Sequence, residues 1–110
     1  MSSRRRERLE EIYRRTVSAF LQRRLNSEGA VFSVTRAELS EKLDYLRIYF
    51  SLWPDQKEKD MLESLESLKR ELRKELAREI KTKFVPEIEF FLDDSEKRRL
   101  KIEELLKKSR

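Results

Sequence analysis

Basic side chains are the residues of this 110-residue chain whose spacing could do chemistry. One row recurs at helical intervals and consists of Arg70, Lys74, Arg78 and Lys81. Guanidinium and ammonium groups one helical turn apart can neutralise successive phosphates of a polyanion. The alternative is an ordinary solvated helix face with local ion pairs. Because no acidic residue interrupts the row, we interpret it as phosphate-binding.

A second basic cluster lies in residues 1–8, which we interpret as a basic N-terminal arm. It contains Arg4, Arg5, Arg6 and Arg8. A basic arm is a common nucleic-acid-binding feature, but a frayed, solvated chain end has the same composition. Both interpretations stay open.

Two aromatic residues could also contact nucleobases. Tyr45 and Tyr49 flank Arg47 on the polar side of an alternating segment. Aromatic rings can stack on bases, but aromatic pairs are also common across neighbouring strands. We favour the second interpretation, in which the tyrosines cover the open face of a sheet.

The composition gives an enzyme no support. Cys and His are both absent from the chain, which excludes disulfides, thiolate zinc sites and the usual general base. The adjacent carboxylates Asp93-Asp94 and Glu103-Glu104 are typical of solvated acids that cap a loop or a helix end rather than of catalytic acid–base pairs. We therefore expect no catalysis, no metal and no cofactor.

Charge is distributed unevenly along the chain. Lys and Arg total 27 against 22 Asp and Glu, which gives a net charge of +5. Segment 66–83 carries seven basic and four acidic residues, whereas segment 84–94 carries four acidic residues and no basic one. This asymmetry indicates a polyanionic partner, either nucleic acid or an anionic membrane surface. No apolar run approaches the roughly 20 residues of a membrane span, so we expect a cytoplasmic protein.

Hydrophobic periodicity predicts the elements that position these residues. The predicted order is a helix over 4–25, strands over 30–40 and 45–52, a helix over 55–83, a strand over 87–92 and a short terminal helix within 95–110. Imperfect alternation predicts a bulge near 35–37. We expect Phe90 to be buried against the first helix and Trp53 to cap the core.

Three stretches resemble the ribosome-binding factor A family. Residues 84–95, FVPEIEFFLDDS, resemble its R-x-x-P-x-L-x-F-x-x-D-x-S signature. Residues 99–106 resemble its R-I-x-x-L-L ending, and residues 37–49 resemble its hairpin. The resemblance implies one α+β domain over residues 1–110 with a KH-like type II fold and a three-stranded mixed sheet.

The resemblance also implies a function without catalysis. Members of this family bind the maturing 30S subunit and its 16S rRNA, support late maturation and 5′-end processing, and act in cold adaptation. We expect a monomer with no membrane and no small-molecule ligand. The candidate RNA-binding residues are Arg4, Arg5, Arg6, Arg8, Lys69, Arg70, Arg73, Lys74, Arg78, Lys81 and Lys83.

The chain departs from the family pattern at two places. Lys42 stands where the family usually has Asp, and Leu68-Lys69-Arg70 stands where it has an Ala-x-Gly kink. We still expect a bend there, because a straight helix over 55–83 would measure about 40 Å above a sheet of roughly 20 Å.

Two other classes of protein remain as alternatives. One is a peripheral protein that binds anionic membranes through the basic amphipathic helix 4–24. The other is a helical scaffold for protein interactions, which the alternation over 31–52 disfavours.

Overall fold

A computed structural model describes residues 2–25, 29–94 and 106. The elements are helix α1 (Ser2–Arg24), strands β1 (Val31–Leu39) and β2 (Tyr45–Trp53), a 3₁₀ turn (Asp55–Lys57), helix α2 (Glu58–Glu79) and strand β3 (Glu87–Leu92). The predicted terminal helix over 95–110 lies outside the described residues except for Leu106. The segment predicted to be an arm is helical from Ser2 onward.

The three strands form one mixed sheet in the order β1-β2-β3. β1 and β2 are antiparallel, and β3 joins β2 in parallel after the α2 crossover. The register shifts between Val34 and Arg36, which confirms the predicted bulge. The α+β class with a mixed three-stranded sheet is therefore confirmed.

The turn between β1 and β2 is fixed by Ser40. Its Oγ accepts hydrogen bonds from the backbone N–H groups of Asp44 (3.1 Å) and Tyr45 (3.0 Å). The same hydroxyl donates to Asp44 Oδ1 at 2.5 Å. Leu43 takes a left-handed φ of 62° inside this turn. These local bonds set the register in which Leu39 faces Leu46.

Both helices pack on one face of the sheet. The buried residues of α1 recur at three- and four-residue intervals and are Tyr13, Val17, Phe20 and Leu21. Those of α2 form a matching stripe of Met61, Leu65, Leu72 and Leu76. Tyr13 approaches Thr82, whereas Arg24 contacts Glu71, so the two helices run antiparallel.

Polar side chains of α1 fix this helix along the outer strand β1. Glu10 Oε2 accepts a hydrogen bond from the Leu39 N–H at 2.7 Å. Near the C-terminal end of α1, Gln22 Nε2 donates to the Phe32 carbonyl at 3.3 Å. These two side-chain-to-backbone bonds therefore attach α1 near both ends of β1.

α2 is continuous through Leu68-Lys69-Arg70, so the helix is not divided in two at the position where a bend is expected. The helix is shorter than predicted, since it begins after a 3₁₀ turn and ends at Glu79. Its 22 residues span about 33 Å rather than 40 Å. Leu65 and Leu72, on either side of the expected break, are both fully buried in the same core, so one uninterrupted stripe serves the whole helix.

The packing of two aromatic residues differs in part from expectation. Phe90 is buried, as predicted, but β3 packs against α2 rather than α1, and Lys69 Nζ of α2 lies 5.9 Å from its ring centroid. Trp53 is 70% exposed, so its predicted role as a cap of the core is wrong. Trp53 forms the last pairing of β2, with Val31.

Candidate nucleic-acid interface

The outward side of α2 carries two unpaired cations. Arg70 and Lys74 are exposed and lie across the helix from the buried Leu72 and Leu76. Within the described part of the chain, neither has a carboxylate within ion-pair distance. These two side chains are therefore available to an external anion.

Three other predicted cations of α2 already have partners. Lys69 Nζ lies 2.8 Å from Glu66 Oε1, and Arg78 pairs with Glu75. Both pairs join residues three positions apart, so helical geometry alone brings them together. Their charges are partly neutralised before any ligand arrives. The third, Arg73, contacts the segment that follows the helix.

Arg73 holds the connection between α2 and β3. Its Nη2 donates to the Val85 carbonyl at 3.2 Å and lies 3.6 Å from Glu87 Oε1. Its Nε is buried, and among the described residues it has no hydrogen-bond partner. These contacts indicate a positioning role for Arg73 rather than a surface phosphate contact.

Lys81 does not belong to the helical row, which corrects the prediction for this residue. α2 ends at Glu79, and Ile80 is extended, with φ −119° and ψ 117°. Thr82 N–H bonds to the Ile80 carbonyl (3.1 Å) and Thr82 Oγ1 donates to the Phe84 carbonyl (2.9 Å). Such local threonine bonding competes with helix continuation, so Lys81 and Lys83 lie on a loop.

The antiparallel helix packing brings this loop to the start of α1. Arg5, Arg6, Lys81 and Lys83 line one cleft of 610 Å³, together with Leu9, Glu41, Leu43 and Thr82. We call this the basic cleft. Arg4 and Arg8 are exposed on the same helix outside it. The structure thus unites two clusters that the sequence predicted separately.

No sequence pattern indicates this cleft as a unit. Its cations come from distant parts of the chain, and antiparallel packing of α1 on α2 cannot be deduced from either helix alone. Phe84 stands out in the sequence only as part of a family signature, yet it is 72% exposed beside the cleft. The sequence shows an aromatic residue next to Lys81 and Lys83, but its exposure is known only from the structure.

Two ion pairs that share the Glu11 carboxylate lie on α1, outside the cleft. Glu11 accepts hydrogen bonds from Arg14 Nη2 (2.7 Å) and Arg15 Nε (3.1 Å). These bonds, chiefly that of Arg14, lower the pKa of the Glu11 carboxyl from 4.5 to about 2. Both arginines thus bond to an acid of the preceding turn, as helical spacing favours.

The open face of the sheet is occupied by its own side chains. The Tyr49 ring lies between the Arg36 guanidinium, 4.1 Å from its centroid, and the Phe91 ring at 5.6 Å. Both faces of Tyr49 are therefore engaged, which confirms for this residue that it covers the sheet. Tyr45 is 47% exposed.

Other kinds of site are not found in the described residues. Within residues 2–25, 29–94 and 106, no group of three or more acidic side chains could hold a metal ion. None of the helices described is both long enough and apolar enough to cross a membrane.

Comparison with known proteins gives one consistent result. A relative from Coprothermobacter proteolyticus, named ribosome-binding factor A, is 37% identical over 103 residues, covering 93% of this chain and 75% of the relative. A Dictyoglomus thermophilum relative of the same name is 37% identical over 94 residues, covering 83% of this chain and 78% of the relative.

Solved structures show the same fold. The crystal structure of ribosome-binding factor A from Thermus thermophilus superposes with a TM-score of 0.70 at 24% identity, covering 79% of this chain and 93% of that one. This likeness agrees with the expected KH-like fold. The family model "Ribosome-binding factor A" matches residues 5–106, and this chain therefore belongs to the ribosome-binding factor A family.

Proposed function

We propose that this protein binds the maturing 30S subunit through its 16S rRNA and supports late maturation, including 5′-end processing, without catalysis. Membership of the family supports a ribosomal partner. A homology model of the T. thermophilus relative has been fitted into the map of its complex with 30S. The proposal includes action as a cytoplasmic monomer and a role in cold adaptation.

The observation that carries the proposal is a set of cations without carboxylate partners in the described residues. They lie on α2 and around the basic cleft and are Arg4, Arg5, Arg6, Arg8, Arg70, Lys74, Lys81 and Lys83. An unpaired, exposed cation can replace the counterions of a phosphate, which is the main source of affinity for nucleic acids. Binding through such contacts needs no reactive group.

Neither alternative class is favoured. A membrane-bound amphipathic helix needs an accessible apolar face, but Tyr13, Val17 and Leu21 of α1 are buried in the core. A purely helical scaffold is inconsistent with the three-stranded sheet.

Replacing Arg70 and Lys74 with Gln tests the proposal. We expect weaker cosedimentation with small ribosomal subunits, because two cations that neutralise phosphates are removed. The slope of log affinity against log salt should flatten by about 0.7–0.9 for each phosphate that is no longer neutralised. Circular dichroism and urea unfolding should remain as in the native protein, since both side chains are exposed.

The matched control is Arg36→Gln with Arg47→Gln on the open face of the sheet, which lowers the net charge equally. This variant should keep the native salt slope. An unchanged slope for the α2 variant, or an equal reduction for both variants, would contradict a specific role for the α2 cations. Cosedimentation with anionic vesicles rather than with subunits would favour the membrane class.

A further inference from the structure

The basic cleft concentrates positive charge from two distant parts of the chain. Four cations line it, against the single carboxylate of Glu41. None of the four has an ion-pair partner among the described residues. The four cations and the one carboxylate give the cleft a net charge of about +3, which favours an anionic ligand.

The position of Arg5 and Arg6 strengthens this inference. They lie near the start of α1, whose first turn contains no acidic residue. Cations near the positive end of a helix dipole destabilise the helix. A basic cluster at this position works against the stability of its own helix, and an anion bound there would relieve the repulsion.

The cleft also has an apolar side. Leu9, Leu43 and Lys83 line both the cleft and an adjoining hollow of 200 Å³ that includes Phe84. Leu43 is 41% exposed and Phe84 is 72% exposed. Phosphates alone do not require such a surface, so the site offers contact to an apolar or aromatic group as well as to a charge.

The loop that carries Phe84 is held in place. Thr82 Oγ1 bonds to the Phe84 carbonyl at 2.9 Å and lies 3.5 Å from the Tyr13 hydroxyl. Arg73 holds the next residue, Val85, through its carbonyl. Lys83 Nζ lies over the Phe84 ring, 5.5 Å from its centroid, so the cation and the aromatic ring are presented together.

We propose that the basic cleft binds an unpaired nucleotide in a single-stranded segment of RNA. Its phosphates lie against Arg5, Arg6, Lys81 and Lys83, and its base stacks on Phe84 beside Leu43. A duplex keeps its base faces stacked internally and could use the cations only, whereas a splayed base uses the aromatic ring as well. This inference rests on the proposed function and names the form of RNA that the cleft selects.

Fluorescence anisotropy with a labelled single-stranded oligouridylate and a blunt-ended RNA duplex of equal length tests the proposal. The native protein should bind the single strand more tightly. Phe84→Ala should weaken this binding by about 5- to 150-fold, the range for removal of one stacked aromatic ring, and should leave the salt slope unchanged. Phe84→Trp, which keeps an aromatic ring, should retain binding.

A second variant separates charge from stacking. Lys81→Gln with Lys83→Gln should flatten the salt slope for the single strand by about 1.4. The Arg36→Gln and Arg47→Gln control should bind the strand like the native protein. Absence of single-strand binding, equal binding of the blunt-ended duplex, or native affinity in both cleft variants would overturn the inference.

The two proposals fail separately. If Arg70→Gln with Lys74→Gln weakens cosedimentation with subunits while the cleft variants bind single strands normally, the cleft inference is wrong and the proposed function stands. If the native protein binds the oligonucleotide through the cleft but does not cosediment with subunits, the proposed function is wrong and the cleft inference holds.

Discussion

The outward side of α2 and the basic cleft contain similar residues in different electrostatic settings. On α2, Lys69 and Arg78 each have a glutamate three residues earlier and are paired with it. In the cleft, Lys81 and Lys83 lie beyond the helix, where helical spacing no longer brings acids to them. A cation is therefore available where its helix has ended, as for Lys81 and Lys83, or where the neighbouring glutamates pair with other cations, as for Arg70 and Lys74.

The largest expected effect concerns Phe90 of β3, which packs against α2. Phe90 packs under Lys69 and is 8% exposed, so Phe90→Ala should lower the free energy of unfolding by about 3–5 kcal/mol. Urea denaturation measures this reduction. Phe90→Leu, which leaves a smaller cavity, should destabilise less. A midpoint near that of the native protein would mean that α2 does not depend on this ring.

A smaller effect should follow from converting paired cations into unpaired ones. Glu66→Gln with Glu75→Gln removes the acidic partners of Lys69 and Arg78. Affinity for small subunits should rise, and the salt slope should steepen by up to about 1.4–1.8 if both cations then reach phosphates. Cosedimentation across a salt series measures both quantities.

Glu63→Gln with Glu79→Gln is the matched control for this conversion. Both residues are exposed on α2, and neither has a cationic partner in the part of the chain that the structure describes. The control has the same net charge but releases no cation. Equal increases in affinity from the two variants would show that net charge, rather than pairing, sets the affinity.

The smallest effect concerns Arg14 and Arg15, the two cations that pair with Glu11. Since the folded-state pKa of Glu11 is lowered from 4.5 to about 2, this pairing stabilises the fold above pH 4.5. The stabilisation should disappear as the pH falls toward 2. The difference in thermal midpoint between the native protein and Glu11→Gln should shrink over this interval. A Glu11 carboxyl that titrates near 4.5 by NMR would contradict the pairing.

The sequence predicted elements whose signals are local. The alternation of Ile88 and Phe90 identified the correct buried side of β3, and the parity change around Thr35 located the bulge. The end of α2 was predicted too late, because hydrogen bonding by Thr82 outweighs a helical pattern that includes the buried Ile80. The bend in α2 was predicted from a helix length that is longer than the observed one.

The candidate site was predictable only as separate clusters. Each cation could be identified by type, and the pairing of Lys69 with Glu66 could be expected from spacing. The meeting of Arg5 with Lys81 depends on long-range packing of α1 along α2. The exposure of Phe84 depends on the loop that follows the helix. Neither fact has a signature in a short window of sequence.

The attachment of α1 to β1 affects how copies of this protein meet. An outer strand with free backbone groups is a template for pairing with another chain, which leads to aggregation or domain swapping. Here Glu10 and Gln22 occupy the N–H of Leu39 and the carbonyl of Phe32. A strand added from another molecule would have to displace both side chains and separate α1 from the sheet. The first helix therefore also protects the sheet against intermolecular strand addition along β1.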